Sequence, residues 1–418
     1  MRKLLVFSFI TLLGSVVFIA CNDEIGDGIP QEPPEPASDY YQPYDSALAI
    51  AVRQLDNCEP GTRAHHQRTV KEHYLYSPSP STRATETAPV RFHVINFDNE
   101  QGFAIVSADK RTTPVYAYSP TGNIDLQEAI RNSGVGEFME CAELYFQDEI
   151  EQFGGGPLTP FDPDSSLIDL MLQVPVIVDG IECVQRHSTA YEDRGPLLTT
   201  TWHQGWPYNY FCPTYVDTAG ITRKCPAGCG PIAMGQILAY HRFPSGFRGY
   251  NFNWERICSD SNISPNDTCK ARLVRIIGSV CNSVYGENGT STYLSNIRSA
   301  FQQMGYSVSQ IVSNGSGTRQ NVKSNTTYNS PLLFYGYNTA EDEGHFWVVD
   351  GYQSTKQQTI YYYAYYPYPE YKTVTNSETV YYSCNFGWGT GYNGFFLDVY
   401  NYGYSSNIKY IHLITPNN

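Results

Sequence analysis

The apolar pattern of residues 196–418 changes period near residue 305, and this one switch restricts the possible fold more than any other feature. Before it the pattern is helical. Residues 232–240 form a nearly continuous apolar run, and Leu294, Ile297, Phe301 and Met304 share one helical face that ends at Gly305. Beyond it, residues 331–335, 345–349, 360–366, 380–385 and 395–399 are short apolar or alternating stretches that read as strands. Helices first and strands second predict an α+β domain of two layers, a helical part against an antiparallel β part. The Asn/Ser/Gly-rich residues 313–330 are expected to form a loop. The tyrosine-rich residues 361–371, broken by Pro367 and Pro369, are expected to form an exposed hairpin.

A smaller α+β unit is expected ahead of this domain. Leu48, Ala51, Val52 and Leu55 follow helical spacing, and residues 90–94 and 103–106 alternate around a turn-rich segment. Met139, Ala142, Phe146, Ile150 and Phe153 then continue one helical face until Gly154, Gly155, Gly156 and Pro157 stop it. Residues 158–195 read as a connector with a short strand at 174–178. Its basic residues Arg186 and Arg194 are expected to be open to proteolysis.

The N-terminus has the pattern of an export signal. Met1, Arg2 and Lys3 precede an apolar run over residues 4–20 that is short for a spanning helix, and Cys21 follows at once. The end of that run, Phe18-Ile19-Ala20-Cys21, resembles the lipobox of bacterial lipoproteins, which implies lipidation of Cys21 and attachment to a membrane. Asp23 and Glu24 resemble an acidic surface-export tag, placing the protein in the bacterial cell envelope, at an outer-membrane or cell-surface site, or secreted. The expected layout is a signal peptide over 1–20, a Pro/Gly/acidic tether over 21–42, a first domain with connector over 43–195, and a second domain over 196–418. With 27 basic against 41 acidic residues and no basic run longer than a pair, a nucleic-acid partner is excluded.

The chemistry is concentrated in three segments of the second domain. In KCPAGCGPIAMGQILAYHRFP, Gly228 and Gly230 flank Cys229, and Pro231 suits the first helical turn, so the thiol stands at a helix N-terminus. Unpaired amides and the positive dipole end there stabilise a thiolate. In DEGHFWVVDGY, His345 opens an alternating strand. In YYSCNFGWGTGYNGFF, Asn385 closes one, beside Phe386 and Trp388. Taken singly, these could be a buried thiol, a satisfied core histidine and a glycine-aromatic turn. Together and in this order they are the constellation for thiolate acyl transfer. Cys225, Cys229 and His241 lack a second ligand pair at zinc-finger spacing, so no metal is expected. Of the eleven cysteines, setting aside Cys21 and Cys229 leaves an odd number, and their pairing is not legible.

These three segments resemble the streptopain family of cysteine peptidases, in the papain-like clan. WHQGWPYNYFCP at residues 202–213 is similar to the family's Gln-Gly-x-Pro-Tyr-Asn segment, which implies Gln204 as the oxyanion-hole side chain. FHVINFDNEQGFAIVSADKRTTPVYAYSPTG resembles the family's inhibitory propeptide. The resemblance implies a zymogen in which the chain's own first domain is the inhibitor, a protein or peptide substrate, and no cofactor. It assigns Cys229 as nucleophile, His345 as base and Asn385 as the group that orients the imidazole. Phe386 stands where the family usually has Trp and is expected to cover the histidine–asparagine bond. Two other functions fit the same residues: an acyl transferase of the same fold, and a surface lipoprotein that only binds a partner.

Overall fold

The computed structural model describes residues 39–57, 68–77, 90–132, 134–154, 175–178, 181–259, 268–338, 343–363, 370–400 and 407–417. The expected signal peptide, Cys21 and most of the tether lie outside them. Among the described residues, one sheet of twelve strands runs through both expected domains. Its strands are β1 (Val70–Tyr76), β2 (Phe92–Phe97), β3 (Phe103–Ser107), β4 (Val115–Ser119), β5 (Pro175–Val178), β6 (Ile181–Arg194), β7 (Val312–Ser313), β8 (Leu332–Asn338), β9 (Glu343–Tyr363), β10 (Glu370–Asn385), β11 (Gly394–Leu397) and β12 (Lys409–Ile411). The spatial order is β1-β2-β3-β4-β11-β10-β9-β8-β12-β7, with β6 also paired to β9 and β5 paired to β6. All these pairings are antiparallel. The first domain joins the second through β4 and β11, where Tyr118 faces Phe395 and Ala117 faces Phe396.

Eight helices among the described residues cover this sheet: α1 (Tyr44–Asn57), α2 (Leu126–Asn132), α3 (Val135–Gln152), α4 (Cys229–His241), α5 (Trp254–Cys258), α6 (Cys269–Val280), α7 (Leu294–Gln303) and α8 (Thr318–Thr327). Alternation along β8 and β9 divides the interior in two. Leu332, Phe334, Trp347 and Val349 enter a core shared with α1 and α3 of the first domain. Leu333, Phe346 and Val348 enter a core built around α4, α6 and α7. A strand buried on both faces reads as a continuous apolar run, which is how residues 345–349 look in sequence. Helix α4 packs against α6, α7 and β9, and Ile232, Ala233, Met234, Ile237, Leu238 and Ala239 bury its flanks on all sides.

Three expectations change. Residues 313–330 are not simply a loop, because α8 occupies most of them. Its Asn and Ser/Thr residues are weak helix formers, but here their side chains have tertiary work. Val322 is fully buried, Asn321 Nδ2 donates to the Tyr410 hydroxyl at 2.7 Å, and Asn325 Oδ1 accepts from the Leu413 amide at 2.8 Å. The connector is not an open linker either. From Cys183 to Arg194 it is hydrogen-bonded strand beside β9, and Glu192 is paired with Lys323 of α8. Its polar residues carry no apolar alternation, so the strand is silent in the sequence. Finally, residues 360–363 belong to a much longer antiparallel pair, β9 with β10, which runs from Val348 opposite Asn385 out to Tyr363 opposite Glu370 with register shifts at Val349/Gly351 and Gln357/Gln358, and residues 364–366 lie outside the described residues.

The first domain holds a histidine pair. His93 Nε2 lies 2.8 Å from the Gln42 carbonyl, which can only accept, so that nitrogen carries the proton and Nδ1 accepts from His73 Nε2 at 3.0 Å. The Tyr44 ring packs against His73, tilted by 35°, with ring centroids 4.3 Å apart. Burial, and then the neighbouring His93, lower the His73 pKa to about 4. Below the ordinary value of 6.5 the unfolded chain therefore takes up a proton that the folded chain refuses. The stability of this domain should be full above about pH 6.5 and should fall as the pH drops towards 4. Thermal midpoints of the full-length Cys229→Ala protein between pH 7.5 and 4 test this, with His73→Phe expected to flatten the slope. An unchanged slope in that variant would remove the pair as its cause.

Candidate active site

Cys229 is the first residue of α4, and the residue before it sets the approach. Gly228 has φ 94° and ψ 135°, a left-sided backbone that other residues rarely adopt, and a Cβ there would meet Thr290 Cγ2 at 2.9 Å. The thiol is 9 % exposed. Main-chain amides of Phe346, Gly230 and Cys229 itself favour the thiolate. Burial outweighs them, the carboxylate of Glu137 adds to it, and the thiol pKa is pushed up to about 11.

His345 enters from β9 on the same face as Trp347 and Val349, the face turned to the first domain. Its Nε2 donates to the main-chain carbonyl of Phe386 at 2.8 Å, which leaves Nδ1 as the basic nitrogen. The Trp388 ring lies nearly parallel to the imidazole at 6.4 Å between centroids, and the fully buried Phe386 ring lies at 6.5 Å. Burial lowers the His345 pKa to about 4, against the pull of the Phe386 carbonyl. Both shifts favour the neutral thiol and the neutral imidazole.

Asn385 was expected to orient the imidazole, and the structure divides this work differently. Its Nδ2 donates to the Thr200 carbonyl at 2.8 Å and to Gln236 Oε1 at 3.2 Å, and its Oδ1 accepts from Gln236 Nε2 at 3.0 Å and the Gly387 amide at 3.1 Å. The main chain of the next residue holds the ring instead. Gln204 lies close to the nucleophile in the fold, since its carbonyl accepts from the Ala227 amide at 2.8 Å. The loop carrying it is tied to the Asn385–Trp388 turn by the bridge between His203 and Trp388 and by the Gly389 amide on the Trp202 carbonyl at 3.2 Å.

Two residues that sequence reasoning passed over come from the first domain. A Cβ on Gly134, which precedes α3, would meet the Phe386 ring at 2.8 Å and His345 Cδ2 at 3.0 Å. One turn further on, the buried Glu137 packs its Cγ 2.8 Å from where a Cβ on Gly336 would stand, and Gly336 is the partner of His345 across β8 and β9. The N-terminus of α3 therefore lies against the imidazole, with its carboxylate acting on the thiol. No sequence motif marks these contacts, because they depend on where the first domain docks. A cavity of about 320 Å³ opens beside Trp388 and Tyr392, between that turn and Lys71, Asn96 and Asn123 of the first domain. Neither Cys229 nor His345 lines it.

Residues 202–396 match the Peptidase C10 family, and residues 42–145 match the Spi protease inhibitor family. The chain is a streptopain-like cysteine peptidase with an inhibitor-type propeptide. It is 22% identical to Streptopain of Streptococcus pyogenes serotype M1 over 72% of each chain. It is also 22% identical to the Thiol protease/hemagglutinin PrtT of Porphyromonas gingivalis, over 74% of this chain but only 38% of that relative's length. A solved prointerpain A fragment of Prevotella intermedia superposes with a TM-score of 0.51 at 17% identity, covering 81% of this chain and 98% of the fragment. The fold is the papain-like α+β arrangement expected from the sequence.

The propeptide contacts generate a test on the thiol. In the full-length peptidase, alkylation of Cys229 by iodoacetamide should be slow at pH 7 and should rise only in the alkaline range. Glu137→Gln removes a negative charge that acts on the thiol and should move the alkylation midpoint to lower pH. An identical midpoint in this variant would take Glu137 out of the site.

Proposed function

We propose that the chain is an exported endopeptidase made as a zymogen, with Cys229 as nucleophile and His345 as base. One observation carries the reading: the histidine held by the Phe386 carbonyl lies against the N-terminus of propeptide helix α3, and Glu137 of that helix acts by its charge on the cysteine that opens α4. With that helix gone, Nδ1 of His345 takes the thiol proton. The Cys229 thiolate adds to the scissile carbonyl carbon, and the oxyanion is received by the Gln204 side chain and the Cys229 amide, each such donor being worth about 10²- to 10³-fold in rate. The imidazolium passes its proton to the leaving amine. Water, deprotonated by the imidazole, then attacks the thioester, releasing the carboxylic acid and restoring the thiol. If an amine replaced water at this last step, the same residues would perform acyl transfer.

The docking of α3 also supports the latency. Burial pushes the thiol up and the imidazole down, and both shifts oppose the thiolate–imidazolium pair near neutrality. Because β6 is hydrogen-bonded along β9, an activating cut ahead of β5 would remove the inhibitor and leave the connector strand in the peptidase sheet. On this reading the functional boundary falls before residue 175, with the connector strand on the peptidase side. The segment before the fold supports export, with Cys21 as the anchor. Cys21→Ser should move the protein from the detergent phase to the aqueous phase, and equal partitioning of both forms would leave an ordinary signal peptide.

Cys229→Ala and His345→Ala should each lower peptide hydrolysis by on the order of 10³-fold or more while the fold is kept. A thiol-directed epoxide inhibitor should label wild type and not Cys229→Ala, and Cys229→Ala should accumulate uncut if maturation is autocatalytic. Hydrolysis near the wild-type rate in Cys229→Ala would overturn the reading.

A further inference from the structure

We propose that Gln236 is a positioning residue for the reaction, setting the oxyanion-side loop and the histidine-holding turn at fixed places relative to the nucleophile helix. Gln236 is 0 % exposed on a helix that is otherwise apolar within the core. A carboxamide at such a site is tolerated only if its polar atoms are bonded, and here both ends are. Oε1 accepts from the Thr200 hydroxyl at 3.1 Å, the Trp202 amide at 3.1 Å and Asn385 Nδ2 at 3.2 Å, and Nε2 donates to Asn385 Oδ1 at 3.0 Å.

Each bond leads to a part of the site. Through Asn385 the clamp reaches the turn: Asn385 Oδ1 also accepts the Gly387 amide, so both neighbours of Phe386 are held, and the Phe386 carbonyl between them holds His345 Nε2. Through Thr200 and Trp202 it reaches the loop that ends at Gln204, whose carbonyl in turn holds the Ala227 amide two residues before Cys229. Gln236 lies seven residues beyond Cys229 on the same helix, about two turns, so the nucleophile moves with it. One side chain thus links nucleophile, base and oxyanion donor without touching substrate. The inference rests on the reading of Cys229 and His345 given above. It adds that their geometry depends on Gln236, and a misplacement of about 1 Å in such a constellation can cost 10²-fold in rate.

The test uses full-length variants matured by added wild-type peptidase, with that activator removed before assay. In Gln236→Met, of similar size but without hydrogen bonds, kcat on a peptide substrate should fall about 10²-fold while KM stays within about threefold. Gln236→Glu covers the case in which that variant does not fold. Its carboxyl can accept as Gln236 does, but it can donate to Asn385 Oδ1 only when protonated. Its kcat relative to wild type should therefore carry an extra ionisation, highest at acid pH and falling as the carboxyl ionises. A pH-independent ratio in Gln236→Glu, or a Gln236→Met enzyme that folds with wild-type kcat, overturns the proposal. Absence of Cys229-dependent hydrolysis in wild type would instead overturn the function it rests on.

Discussion

Strand β9 is buried on both faces over residues 345–349, and the rest of the site follows from that constraint. Over this stretch its side chains alternate between the core shared with the propeptide and the core of the nucleophile helix. Phe346 and Val348 pack towards α4, whereas His345 shares its face with Trp347 and Val349. The base therefore stands on the side to which the propeptide docks. The propeptide does not merely cover the cleft, since it contributes part of the wall around the imidazole through Gly134 and α3.

The electrostatics of the latent state have the same origin. Burial raises a thiol and lowers an imidazole, since each resists charge when water is removed, and both shifts oppose the ion pair on which thiolate chemistry depends. Glu137 adds a negative charge where a thiolate would have to form. The helix amides that would favour the thiolate are already in place at the start of α4. Activation on this view requires water and substrate to replace the propeptide, with little new geometry around the sulfur.

The orienting partner of the base is a main-chain carbonyl, and this shifts where side-chain identity matters. A carbonyl needs no particular residue at position 386, only a turn of fixed shape, so Phe386 can stand where the family usually carries Trp. The shape is fixed by Asn385, Gly387 and Gln236, which bond to one another inside the protein where water cannot compete.

Much of this was written in local sequence. Cys229 between two glycines at a helix start, His345 at the head of an apolar strand, and the order of helices before strands are short-range patterns, and each depends on backbone preferences of a few residues. Helix α8 and strand β6 were not legible, because their polar residues have weak local preferences and are held by partners far along the chain, Tyr410 and Leu413 for one, β9 for the other. The same holds within the site. The sequence by itself determined which reactive groups the peptidase carries and roughly where they sit on helix and strand. Only the tertiary structure decided that Phe386 and not Asn385 meets the imidazole, that Gln236 joins three segments, and that Gly134 and Glu137 reach the site, because these are contacts between residues tens to hundreds of positions apart that no local preference encodes.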